Sequence, residues 1–153
     1  MAHTTGMTKA DSSLRLAIYR FAVHKGHLPT TRELARVLSQ AEASVRAGFR
    51  RLARAHVLVL QRDSPEILRA APFWGVPTTF RVQSGSRTWW GSCIWDALGI
   101  PAMLHRDAQI ITACGCCDST MTFTVQGGRL ANAKGIMHFA VPASRWYENI
   151  VFT

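Results

Sequence analysis

Residues 30–60, "TTRELARVLSQAEASVRAGFRRLARAHVLVL", decide the architecture of the first half of the chain. Thr30 followed three residues later by Glu33 is a capping-box signature. A helix therefore begins here and carries Leu34, Ala35 and Leu38 on one face. "SQAEAS" reads as a short turn, with Ser44 the expected cap of the next helix. That helix buries Val45, Phe49 and Leu52 and turns Arg46, Arg50, Arg51 and Arg54 outward.

Upstream, Leu14, Ala17, Ile18, Phe21 and Ala22 repeat at helical spacing, which predicts a first helix over roughly 11–24. Residues 1–10 have no such pattern and are expected to be a disordered tail. Downstream, "VLVLQRDSPEILRAAPF" reads as a short strand, a polar turn and a second extended piece. Three helices and a two-stranded ribbon outline a winged-helix-like domain over 11–72. "PFWGVPTTFRVQSGSRTWW" is punctuated by Pro and Gly and reads as a linker holding one strand, Thr79 to Gln83.

From Gly91 the pattern changes. "SCIWDALGIPAML" predicts a helix with Ser92 as cap, stopped or kinked at Gly99–Pro101. "AQIITAC", "TMTFTV" and "IMHFAV" read as strands, with "QGGRL" as the turn before the third. "PASRWYENIVFT" begins as helix or loop and ends extended. The expected fold class is α+β. A winged-helix-like three-helix domain precedes a small mixed sheet domain over 73–153 that carries the Cys/Asp site.

Composition narrows the function classes. No apolar run reaches the ~18 residues of a membrane span, and the N-terminus lacks the apolar core of a secretion signal. A cytoplasmic protein with no membrane partner is expected. The net charge is +9, of which residues 1–70 carry +7. That asymmetry, with the arginines of the third helix, makes nucleic acid a candidate partner. No nucleotide-binding glycine loop is present, so no organic cofactor is expected.

Two clusters carry chemistry. In "WWGSCIWDALGIP" (89–101), Cys93 and Asp96 stand three residues apart and share a helix face. A cysteine at a helix start meets free N–H groups and the positive dipole end, which favour the thiolate. A neighbouring carboxyl can deliver a proton. Trp89, Trp90 and Trp95 could wall an apolar pocket around them. In "ACGCCDS" (113–119), Cys114 and Cys117 form a C-x-x-C with Cys116 between them. Half a zinc site, a redox pair and a soft-metal clamp all fit this spacing. Zinc at Cys114 and Cys117 would need further ligands from the fold, for which Cys93 and His138 are candidates.

"WWGSCIWDALGIPAML", the cysteine-bearing turn and "HFAVPASRWYENIVFT" together resemble the organomercurial lyase (alkylmercury lyase) family. The resemblance implies protonolytic cleavage of a carbon–mercury bond, giving a hydrocarbon and Hg(II). It places Cys93 on the first catalytic cysteine, Asp96 on the aspartate that mediates proton transfer, and Cys114 on a structural cysteine. It implies an organomercurial substrate and Hg(II) as bound product. External cytosolic thiols or a mercuric reductase would accept that product. The second catalytic cysteine of the family would fall at Thr153 or just beyond. Three readings follow: a chain truncated at its C-terminus, as a stop codon read as selenocysteine would produce, an inactive relative that binds metal or DNA, or a second thiol supplied by the cysteine turn. Cys117 and Cys116 are the alternatives for the second thiol, which would make Cys93 and Cys117 the metal ligands. A metal-responsive winged-helix DNA-binding regulator and a non-catalytic soft-metal binding protein are the competing functions.

Overall fold

The computed structural model describes residues 7–131, 134–139 and 141–151. Helix α1 (Lys9–Lys25) is capped by Thr8, whose side chain accepts from the Asp11 N–H. It thus takes in Lys9 and Ala10, which the sequence assigned to the tail. Helix α2 (Thr31–Leu38) has the full capping box between Thr30 and Glu33. Helix α3 (Glu42–Arg54) starts after Ala41 rather than at Ser44, and Ala41 offers no side-chain cap. The turn is shorter than expected because the orphan N–H groups can face water there.

The strands β1 (Val59–Leu60), β2 (Ile67–Ala70) and β3 (Phe73–Trp74) form an antiparallel wing in the order β1-β2-β3. Glu66, in the turn before β2, accepts from the N–H and hydroxyl of Thr31 at 2.8 and 2.6 Å. The wing is thereby tied to the first turn of α2.

The expected linker is sheet. Besides β3, it supplies β4 (Phe80–Ser84) and β5 (Arg87–Gly91), paired as a hairpin. The strand expected over Thr79 to Gln83 is β4; its hairpin partner β5, carrying Trp89 and Gly91, was not expected, because Pro and Gly punctuate turns as readily as linkers. Helix α4 (Ile94–Leu104) runs through Pro101. A proline inside a helix removes one hydrogen bond, but Ala97, Ile100 and Pro101 are buried against the sheet and keep the helix going. Strands β6 (Ala108–Ala113), β7 (Thr120–Gln126) and β8 (Arg129–Ala131) complete a five-stranded sheet in the order β5-β4-β6-β7-β8. Every pairing in it is antiparallel, where the sequence left the sheet mixed.

The third strand lies at Arg129–Ala131, inside what reads as the "QGGRL" turn, and 134–139 is irregular rather than strand. Gly127 and Gly128 both have positive φ and make the turn in two residues, leaving Arg129 free to pair with Gln126. Ala143–Glu148 is a 3₁₀-helix, and Ile150 and Val151 form a turn instead of the expected extended end. Among the described residues, no helix is long and apolar enough to cross a membrane.

One apolar core runs from Leu14 and Phe49 through Phe73 and Trp89 to Ile110 and Val125. Trp89 is its largest fully buried side chain. It packs 6.3 Å from the Phe73 ring, and its indole N–H donates to the Ala22 carbonyl at 2.8 Å. It is core, not pocket wall. Trp89→Ala is expected to cost about 3–5 kcal/mol from the cavity it leaves, and Trp89→Phe less. Urea denaturation of the two variants against the wild type is the check. Equal midpoints for all three would contradict a shared core centred there.

Candidate functional site

The end of β5 meets the start of α4 at Gly91. A Cβ there would fall 2.8 Å from the Ala97 nitrogen and 3.2 Å from the Cys93 carbonyl oxygen, so only glycine admits this approach. Cys93, not Ser92, is the N-cap of α4, with extended backbone and no side-chain cap bond. A thiol is a weak acceptor, and the hydroxyl next to it is used elsewhere. Ser92 donates from Oγ to Asp96 Oδ2 at 2.5 Å, and its N–H approaches the same oxygen at 3.4 Å. The Cys93 thiol is half-buried and free.

Asp96 is 4% exposed. Its Oδ2 lies 3.5 Å from Arg69 Nη2, on β2 of the wing. Arg69 is itself mostly buried, and its Nε has no hydrogen-bond partner among the described residues. Sequence reasoning passed over Arg69. The available signal was a cation inside the apolar strand "EILRAA", a residue type that is almost never buried without a partner.

A cavity of about 620 Å³ lies on another face of α4. Ile94 and Leu98 line it from the helix, and Phe80, Met121 and Phe123 line it from the sheet. At ~100° per residue, Asp96 points roughly opposite Ile94. Neither Cys93 nor Asp96 lines this cavity, and none of Trp89, Trp90 and Trp95 does. Trp95 is exposed and meets Phe139, which in turn packs on Trp146. These contacts lay the C-terminal segment over the start of α4.

Cys114, Cys116 and Cys117 come together on the β6–β7 turn, with all three sulfurs within 4.8 Å of one another. Cys114 Sγ and Cys116 Sγ are 3.1 Å apart. Cys93 is not in this group. His138 lines the cavity beside Cys114 and Cys116 but also stands outside the group. Three sulfurs without a fourth ligand fit a soft ion better than tetrahedral zinc. Thr153, where a second catalytic thiol was expected, lies outside the described residues.

The Ser119 hydroxyl and backbone N–H, with help from the other two thiols, lower the Cys117 pKa to about 7. Hydrogen bonding to Cys114 and Cys117 pushes the Cys116 thiol up.

The family described as MerB, alkylmercury lyase, matches the chain over residues 73–153. Among solved structures, the chain is similar to the mercury-bound form of MerB2, at 24% identity and a TM-score of 0.63. The match covers 82% of this chain and 60% of that one, so the chain spans less than two thirds of its relative's length. At that identity the likeness carries the fold. No curated protein matches.

The thiol turn has a pH signature. Cys117 is the more acidic thiol, so its alkylation by iodoacetamide should rise with pH to half its maximum near pH 7. Cys116 should follow at higher pH, and Ser119→Ala should move the Cys117 midpoint upward. Peptide-resolved mass spectrometry reads both sites. Labelling of Cys116 before Cys117 would contradict this arrangement.

Proposed function

This chain belongs to the alkylmercury lyase family, and from that premise we propose that it cleaves the carbon–mercury bond of organomercury compounds by protonating the carbon. The products are a hydrocarbon and Hg(II). Cys93 gives up its thiol proton to the Asp96 carboxylate as its sulfur bonds to mercury, and Asp96 hands that proton to the leaving carbon as the carbon–mercury bond breaks. The observation that carries this reading is the placement of both residues at the start of α4, within the family match, with the thiol free and the carboxyl held.

The residue types suit the steps. Mercury is soft, and sulfur is its preferred ligand. Sulfur bound to the metal adds electron density and weakens the bond to carbon. The carbon then takes a proton from an acid within reach. Ser92 and Arg69 fix the Asp96 carboxyl, so the group that moves the proton does not wander. A free thiol from solution supplies further sulfur and carries Hg(II) away. Cys116 and Cys117, the sequence candidates for the second thiol, sit with Cys114 on their own turn and are given no part in this step. In this scheme the winged-helix-like unit over 11–72 supplies Arg69 from its wing to the unit over 73–153.

Two of the arginines that pointed to nucleic acid have intramolecular partners. Arg51 pairs with Asp11 at 2.8 Å and Arg46 with Glu42 at 3.8 Å. That weighs for an enzyme over a regulator.

The test is release of benzene from phenylmercury in excess free thiol. Cys93→Ser should reduce it to background. Asp96→Asn should slow it by roughly 10²–10⁴-fold while leaving mercury binding in place. Full activity in Cys93→Ser would end the proposal. Arg69 acts as a positioning residue. Arg69→Met should lower kcat with KM nearly unchanged, and Arg69→Lys should restore part of it. A fall in KM-dependent binding alone would remove Arg69 from that role.

A further inference from the structure

Three thiols stand outside the chemistry proposed for Cys93 and Asp96. The sulfurs of Cys114, Cys116 and Cys117 all lie within 4.8 Å of one another, close enough for one ion to bond all three after small side-chain rotations. Their turn is fixed by its backbone. The Cys114 N–H donates to the Ser119 carbonyl and the Asp118 N–H to the Cys114 carbonyl, both at 2.9 Å. Strands β6 and β7 stay in register up to Ala113 and Thr120, so the turn has a rigid base.

The cluster also opens onto a hollow: Cys114 and Cys116 border the 620 Å³ cavity. Lys134 lines the cavity as well and supplies a positive charge near what would be an anionic thiolate complex.

We propose that Cys114, Cys116 and Cys117 form a three-sulfur site for a soft, thiophilic cation, with Hg(II) as its ion, and that this site works without Cys93. Each sulfur gives up its proton to solvent as its bond to the metal forms. No electron is transferred, and no oxidant or reductant is needed. The site goes beyond the lyase reading, because it holds the ion whether or not this chain cleaves a carbon–mercury bond.

The test uses the full-length Cys93→Ser protein, fully reduced, titrated with Hg(II) chloride against excess glutathione. One Hg(II) per chain should remain in native mass spectrometry, and X-ray absorption should fit three sulfurs in one shell. Adding Cys116→Ser and Cys117→Ser should weaken retention by at least about 100-fold, the scale on which tethered ligands reinforce one another. Both cysteines are exposed, and an unchanged circular dichroism spectrum will show that the fold survives. Failure of Cys93→Ser to retain mercury, equal retention after loss of both turn thiols, or a two-sulfur shell would each overturn the site. So would zinc held against a chelator in a four-ligand shell. Cys93 is absent from every arm, so these outcomes are independent of benzene release by the wild type.

Discussion

A carboxyl group buried to 4% exposure needs partners, and those of Asp96 come from two different parts of the chain. Ser92 reaches it from the turn before α4, and Arg69 reaches it from the wing. This contact sets how the helix begins. It takes the Ser92 hydroxyl away from capping, shifts the cap to Cys93 and leaves the thiol unengaged. Gly91 is the steric counterpart, since any side chain there would push β5 off the helix start. The three-stranded sheet is therefore more than a neighbour of the five-stranded one. Its strand β2 delivers the cation that the buried carboxyl requires.

Helix α4 separates two kinds of chemistry. Asp96 faces the wing, and the Ile94–Leu98 face borders a cavity that ends at the cysteine turn. The opening of α4 is rigid because Ala97 and Ile100 are fully buried beneath it. The cysteine turn is exposed at the far end of the β6–β7 hairpin, where ligands can arrive from solvent. The proposed chemistry uses the half-buried thiol and the held carboxyl at the start of α4. Three clustered thiols on a surface turn are suited to holding an ion.

The sequence was most legible where a local rule had no competitor. The capping box at Thr30 and Glu33, the apolar stripe of α3 and the alternation in β6 and β7 each predicted their element. It was least legible where tertiary burial outweighed a local signal. Pro101 does not end α4, and the Pro/Gly-rich stretch up to Trp90 supplies β3 and β5 besides the expected strand β4. The candidate cysteines and Asp96 could be named from spacing and resemblance. Their partners could not, because Arg69 lies 27 positions before Asp96 and only the fold brings them together. That Cys93 stands outside the group formed by the three turn thiols was likewise invisible, since spacing along the chain says nothing about which sulfurs come together.

The charge of the N-terminal half shows why composition alone misleads about partners. An excess of arginine reads as a surface for phosphate, yet several arginines here are structural. Arg51 closes the gap between α3 and the start of α1 through Asp11, whose carboxyl Thr8 and Arg51 hold below the usual carboxylate range. Arg87 donates to the His24 carbonyl at 2.8 Å and so joins β5 to the end of α1. Arg69 is drawn inward to Asp96. Each of these cations is bound to a particular atom of the fold. Arg51 holds two helices together, while Arg87 and Arg69 join the first half of the chain to the second, with the fastening at Asp96 placed where the proposed chemistry occurs.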